Sequence, residues 1–228
     1  MTGSGSPVRI LDSPLRFYRT RAEMSPHWRL ALFPVMASAA LQAAAGGILS
    51  FRMQPHVNAA LAQMGVDAGP LSTDILAAVT LVAGAAAYLG ISGAMALVMV
   101  VLDLLFAQSG RVRRLVEFAG YSFVSQVPLA VAGLVLAIGM APEPLRLPPD
   151  ATLAEFPNIV RDYQEGVTGG TVRAVMQMVG IYFGLWLAAL QAAALRVVSG
   201  FSVGGAWAAG ILLAALFVGV PYAAQQLW

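Results

Sequence analysis

Cysteine and lysine are both absent from the 228 residues, and histidine occurs only at His27 and His56. The missing cysteine excludes disulfides, a thiolate nucleophile and cysteine-ligated metal. The missing lysine excludes a phosphate loop of the Walker type, and two isolated histidines supply neither a His-Glu-x-x-His pair nor a zinc cluster. Charge is scarce as well. Only 11% of the residues are charged, against about 25% in soluble domains. All 13 positive charges are arginine. A pI near 9.3 would suggest nucleic acid in a soluble protein. In a chain this apolar it reflects arginines that hold loops on one side of a bilayer, so nucleic acid is not an expected partner.

What is abundant is apolar surface. The chain is 59% hydrophobic, with a mean hydropathy of +0.76. Runs of about 20 apolar residues cross a bilayer, and five such runs are visible. They cover about Trp28–Ser50, Ile75–Leu102 (continuing past Asp103 to Phe106), Leu115–Met140, Val172–Val198 and Val203–Ala224. Ala37-Ser38-Ala39 has the outline of a signal-peptide cleavage site. The apolar run continues beyond it to Leu49, so an uncleaved first span is expected. Residues 51–73 read as a polar connection, with a short surface helix over Pro55–Met64 ended by Gly65. Residues 141–172 read as a proline-rich loop carrying five acidic residues.

The second run sets the span count. A helix over Thr73–Phe106 is about 51 Å long, more than a hydrocarbon core of about 30 Å, so it either protrudes or turns back near Gly90-Ile91-Ser92-Gly93. If it crosses once, the N-terminal segment, the 107–114 turn and the 196–203 turn share a side. That side then holds Arg9, Arg16, Arg19, Arg21, Arg29, Arg111, Arg113, Arg114 and Arg196, nine of the 13 arginines. The other side holds four arginines and seven carboxylates. A hairpin would give six spans and split the arginines. The positive-inside rule therefore favours an all-α, five-helix transmembrane bundle with its N-terminus in the cytoplasm and its C-terminus outside. Residues 1–27 form the cytoplasmic segment and 28–224 the membrane domain.

Few residues carry chemistry. Ser92 has the setting of an intramembrane protease nucleophile, but neither histidine lies in a span to act as its base, and a small-residue packing patch is the expected role. No catalytic, cofactor or metal residue is expected. Asp103 ends one span, Glu117 begins the next, and Arg111, Arg113 and Arg114 lie between them, so an interfacial ion-pair cluster is expected, with a proton or substrate relay as the functional alternative. Glu117, Tyr121, Ser125 and Pro128 recur at four, four and three residues on one face of the third span, beside Ser122 and Gln126. Such a face turns away from lipid. On the fourth span Gln177, Gly184 and Gln191 recur every seven residues, and Gly180 with Gly184 makes a GxxxG extended by Ala188, the pattern of a helix-packing seam. The 14–24 segment sets Leu15, Phe17 and Tyr18 among Arg16, Arg19 and Arg21, as an interfacial element touching anionic lipid headgroups would.

Pro14 with Phe17, then Pro26-His27-Trp28 before the first span, resembles the opening of bacterial Yip1-domain membrane proteins. So do the basic turn at Arg111–Arg114 with Tyr121 and Pro128 after it, and Trp186 and Arg196 ahead of Gly200-Phe201-Ser202 and Ala206. The resemblance runs from about residue 14 to 224. It implies a five-helix bundle with a cytoplasmic N-terminus and supplies no catalytic residue. Eukaryotic relatives bind Rab GTPases through a longer N-terminal region, so that partner is not carried over. The expected function is a non-enzymatic accessory or scaffold subunit meeting other membrane subunits through helix contacts. The alternative is a small permease or channel lined by the polar faces of spans three and four.

Overall fold

The computed structural model describes residues 10, 13–66, 73–167 and 169–227, with side chains placed except at 73–74, 171–173 and 218–227. Arg9, Asp12, Asp67 and the side chain of Arg173 lie outside the described residues. Every regular element described is helical: α1 (Pro14–Ala22), α2 (Trp28–Gln63), α3 (Thr73–Phe106), α4 (Val112–Ser122), a 3₁₀ turn (Phe123–Ser125), α5 (Gln126–Gly139), α6 (Phe156–Val167), α7 (Thr171–Ser199) and α8 (Val203–Leu227).

Four stretches are long and apolar enough to cross a membrane: Trp28–Gln63, Ile75–Phe106, Val112–Gly139 and Ala174–Ser199. A shorter apolar helix, Val203–Phe217, corresponds to the expected fifth span within the residues whose side chains are described. Large apolar side chains such as Phe33, Val82, Leu97, Leu105 and Ile181 are exposed along these helices, as a lipid solvent allows.

One alternative falls and two expectations need correction. Thr73–Phe106 is one continuous helix of 34 residues, so the hairpin and the six-span count are dropped. Gly90 and Gly93 sit within it with open space where a Cβ would stand, and nothing there turns the chain back. Pro55–Met64 is no separate surface helix but the last turns of α2, which runs 36 residues. Pro55 withholds one intrahelical hydrogen bond, a loss the helix absorbs. It ends only at Gly65, whose φ of +76° is a conformation glycine adopts freely. Residues 141–172 are not loop throughout, because α6 forms within them. Phe156, Ile159, Val160, Tyr163 and Val167 line its half-buried face at helical spacing. Before it, Glu155 accepts the Thr152 N–H and hydroxyl at 3.1 and 2.8 Å, which holds its carboxyl below the ordinary range.

The chain divides into two compact units. In the unit made of 40–86 and 130–179, α2 and α3 approach through small residues. A Cβ on Gly47 would stand 3.4 Å from Leu81 Cβ, and one on Gly84 would stand 3.8 Å from the Ala43 Cα. Thr80 Oγ1 donates to its own helix at Leu76 O, 2.9 Å. Arg52 on α2 donates to the Ala137, Ile138 and Met140 carbonyls, the acceptors left over at the C-terminal end of α5.

In the other unit, 1–39, 87–129 and 180–228, the core is aromatic and aliphatic: Tyr18, Phe118, Phe123, Leu115, Met99, Leu187, Leu190 and Leu213 are buried. Tyr88, Phe123 and Phe217 meet edge to face with centroids 5.5–6.0 Å apart. Two helix contacts here depend on glycine. A Cβ on Gly120 would fall 2.6 Å from the Ala31 carbonyl oxygen, and one on Gly210 would fall 2.4 Å from that of Ala188. The break between α4 and α5 follows from Pro128, whose ring excludes the carbonyl four residues back and leaves the backbone to tighten into a 3₁₀ turn.

Candidate functional site

Glu117, on α4, gathers three hydrogen bonds. Its side chain is fully buried. Oε1 accepts from Arg21 Nε at 2.9 Å and from the backbone N–H of His27 at 3.1 Å, and Oε2 accepts from Arg114 Nη1 at 2.7 Å. Both guanidinium groups are also nearly buried, and they bind the chain between α1 and α2. Arg114 donates to the Ala22 and Met24 carbonyls, and Arg21 donates to the Ser25 carbonyl.

Aromatic rings complete the clasp. The Tyr18 ring lies 4.6 Å from that of Phe118, and Phe17 meets Tyr121 edge to face at 5.3 Å. Arg21 stands over the Tyr121 ring at 6.0 Å. The Tyr18 hydroxyl donates to the Phe118 carbonyl at 3.4 Å. Burial, with Tyr121 nearby, holds that phenol well above its ordinary range, so it remains a donor. The arrangement fastens α1 to α4 and directs the chain into α2. Chemically it holds charge in place. Both oxygens of the carboxylate are engaged, Oε1 by a guanidinium and a backbone donor and Oε2 by the second guanidinium.

The other expected residues fall as follows. Glu117 pairs with Arg21 and Arg114, and Arg111 and Arg113 take no part in that cluster. Asp103 is buried in the last turn of α3, and among the described residues neither of its carboxyl oxygens has a hydrogen-bond partner. Tyr121, Ser122, Ser125 and Gln126 are all buried, whereas Pro128, expected on the same face, is exposed. Ser122 and Ser125 return their hydroxyls to the Ala119 and Ser122 carbonyls, at 2.6 and 3.1 Å, within the turn that Pro128 imposes. Gln126 Nε2 reaches the Phe183 carbonyl on α7 at 3.2 Å. Ser92 donates to the Tyr88 carbonyl at 2.8 Å.

The seam expected on α7 splits in two. Gly184, Ala188 and Gln191 are buried, and Ala188 receives Gly210 of α8. Gln177 is exposed, and a Cβ on Gly180 would meet nothing within 4 Å. The Gln191 amide has no hydrogen-bond partner among the described residues. Sequence reading set Arg21 among lipid headgroups, whereas it is turned inward onto Glu117, 96 residues away, and it left Arg52 in a loop. It also missed Gly210, where only the partner helix reveals the contact.

With these contacts placed, the family assignment follows from a comparison over the same stretch. The Yip1 domain model matches residues 8–223. The chain belongs to the Yip1 domain family. The match takes in α1 as well as the long helices, so in this Yip1-domain protein the clasp at Glu117 lies inside the family region rather than in an appendage. No curated protein and no solved structure matches the chain.

Proposed function

We propose that this Yip1-domain protein is a non-enzymatic accessory or scaffold subunit of a membrane complex, working through helix contacts with other membrane subunits. On this reading it has five spans, with an N-terminus in the cytoplasm and a C-terminus outside a bacterial cytoplasmic membrane. The supporting observation is the use made of Glu117: its donors are two arginines and a backbone N–H, and they fasten α1 and α2, a structural use of the buried carboxylate. The outward surface supports the same reading. Met178, Ile181, Tyr182 and Leu185 are exposed on α7 at the spacing of one helical face. Tyrosine on such a face gains from a neighbouring helix that accepts its hydroxyl. A photo-crosslinker placed at Tyr182 or Leu185 in native membranes tests this. The scaffold reading expects one discrete protein adduct, and crosslinks to lipid alone would count against it.

A second reading, a small permease or channel, draws on Asp103 and Gln191. Both are buried with their polar atoms unpartnered among the described residues, whereas buried polar groups in folded proteins are usually hydrogen-bonded to protein or water. A path through the bundle would need those groups wet. Transport by purified protein in liposomes, abolished by Asp103→Asn with folding retained, would favour it.

A further inference from the structure

The side of α1 turned away from the Glu117 clasp carries the two arginines of the 14–24 segment that the clasp does not use. Phe17 and Tyr18 are buried on one side, while Arg16 and Arg19 are exposed on the other. These two arginines line an open groove of about 640 Å³, together with Arg196 of α7 and Trp207 of α8. Its remaining wall includes Ala189, Ala192 and Ala193 of α7. Among the described residues none of the three arginines forms an ion pair. Glu23 also borders the groove, so among the described residues three positive charges face one negative.

We propose that this groove binds a single anionic phospholipid, with the phosphate held by Arg16, Arg19 and Arg196 and the upper acyl chain laid over the alanines. Two observations point to an amphiphile rather than a soluble anion. The charge is confined to one end, because Arg196 stands in the last turn of α7 and the alanines lie one to two turns deeper along the same helix. From Arg196 to Ala189 the helix descends about 10 Å into its apolar part. Trp207 sits near the start of α8, level with the polar end of α7, the depth at which tryptophan bridges headgroup and hydrocarbon. Guanidinium groups also suit phosphate, which they bind in a bidentate fork. The proposal is independent of what the complex around this protein does.

The test uses the full chain in nanodiscs of phosphatidylcholine with a minor fraction of phosphatidylglycerol, followed by native mass spectrometry of the released protein. One retained phosphatidylglycerol per chain is expected. Arg19→Gln with Arg196→Gln should lower that retention about fivefold for each arginine, about twenty-five-fold for the pair. Arg111→Gln with Arg113→Gln removes the same charge from the same end of the unit, outside the groove, and should leave retention unchanged. Should the first pair fail to purify, Arg16→Gln alone must still cost about fivefold. Equal retention of the two lipids would overturn the site. So would an equal loss in the Arg111/Arg113 pair, which would show diffuse surface charge. Displacement of the lipid by an equal concentration of glycerol phosphate would overturn the lipid assignment in favour of a soluble phosphate ligand.

Discussion

Glu117→Ala removes the acceptor shared by Arg21, Arg114 and the His27 N–H, and the consequence can be estimated from the geometry. Breaking a buried ion pair by deleting one partner costs about 3–5 kcal/mol, because the surviving charge is left uncompensated. Here the survivors are not wholly abandoned. Arg114 keeps the Ala22 and Met24 carbonyls, and Arg21 keeps that of Ser25. The loss should therefore fall near the lower bound, about 3 kcal/mol, roughly 150-fold in the folding equilibrium. Glu117→Gln keeps the shape and one acceptor but turns an NH₂ toward an arginine, and should cost about 1–2 kcal/mol. Unfolding in mixed micelles with rising sodium dodecyl sulfate, followed by tryptophan fluorescence, gives both values. Limited proteolysis at 23–27 reports separately whether α1 has come away. A Glu117→Ala protein with the wild-type midpoint and an uncut 23–27 segment would refute the reasoning. A stable Glu117→Gln protein that had lost a transport activity would move Glu117 from structure to chemistry.

Other outcomes follow from the same contacts. Gly210→Ala should destabilise by about 1–3 kcal/mol, because its Cβ meets the Ala188 carbonyl, whereas Gly180→Ala, with open space, should be neutral or stabilise by up to about 1 kcal/mol. The same unfolding titration measures both. Arg52→Ala strips the donors from the end of α5 and should cost about 1–2 kcal/mol, with faster amide exchange near residue 140. Reporter fusions at residues 111 and 150 should report opposite sides of the membrane; the same side for both would end the five-span topology.

Where the membrane helices lie was legible from hydropathy, because lipid demands long apolar runs. Where they end was not. Polar residues from Arg52 to Gln63 do not stop α2, since a helix can leave the hydrocarbon and continue in water. Pro128 announced a perturbation, yet its form, a 3₁₀ turn with two serines bonded backward, depends on local closure. The Arg114–Glu117 pair was visible as an i,i+3 spacing, while Arg21 was hidden by its distance along the chain. Small residues marked α7 as a packing helix but could not say which of them are covered. Gly180 and Gly184 look alike in sequence, and only the second is buried.

The central claim is that the buried polar positions of the third and fourth spans, Gln126 and Gln191 among them, lie in packed seams. The chain has no cysteine, so single cysteines at Gln126 and Gln191 can be probed against a silent background, with cysteines at residues 111 and 150 as accessible controls. In membranes permeable to the reagent, a charged thiol-reactive reagent should label 111 and 150 and leave 126 and 191 unmodified. Rapid labelling of 126 and 191 in folded protein would show a water-filled path and contradict the account.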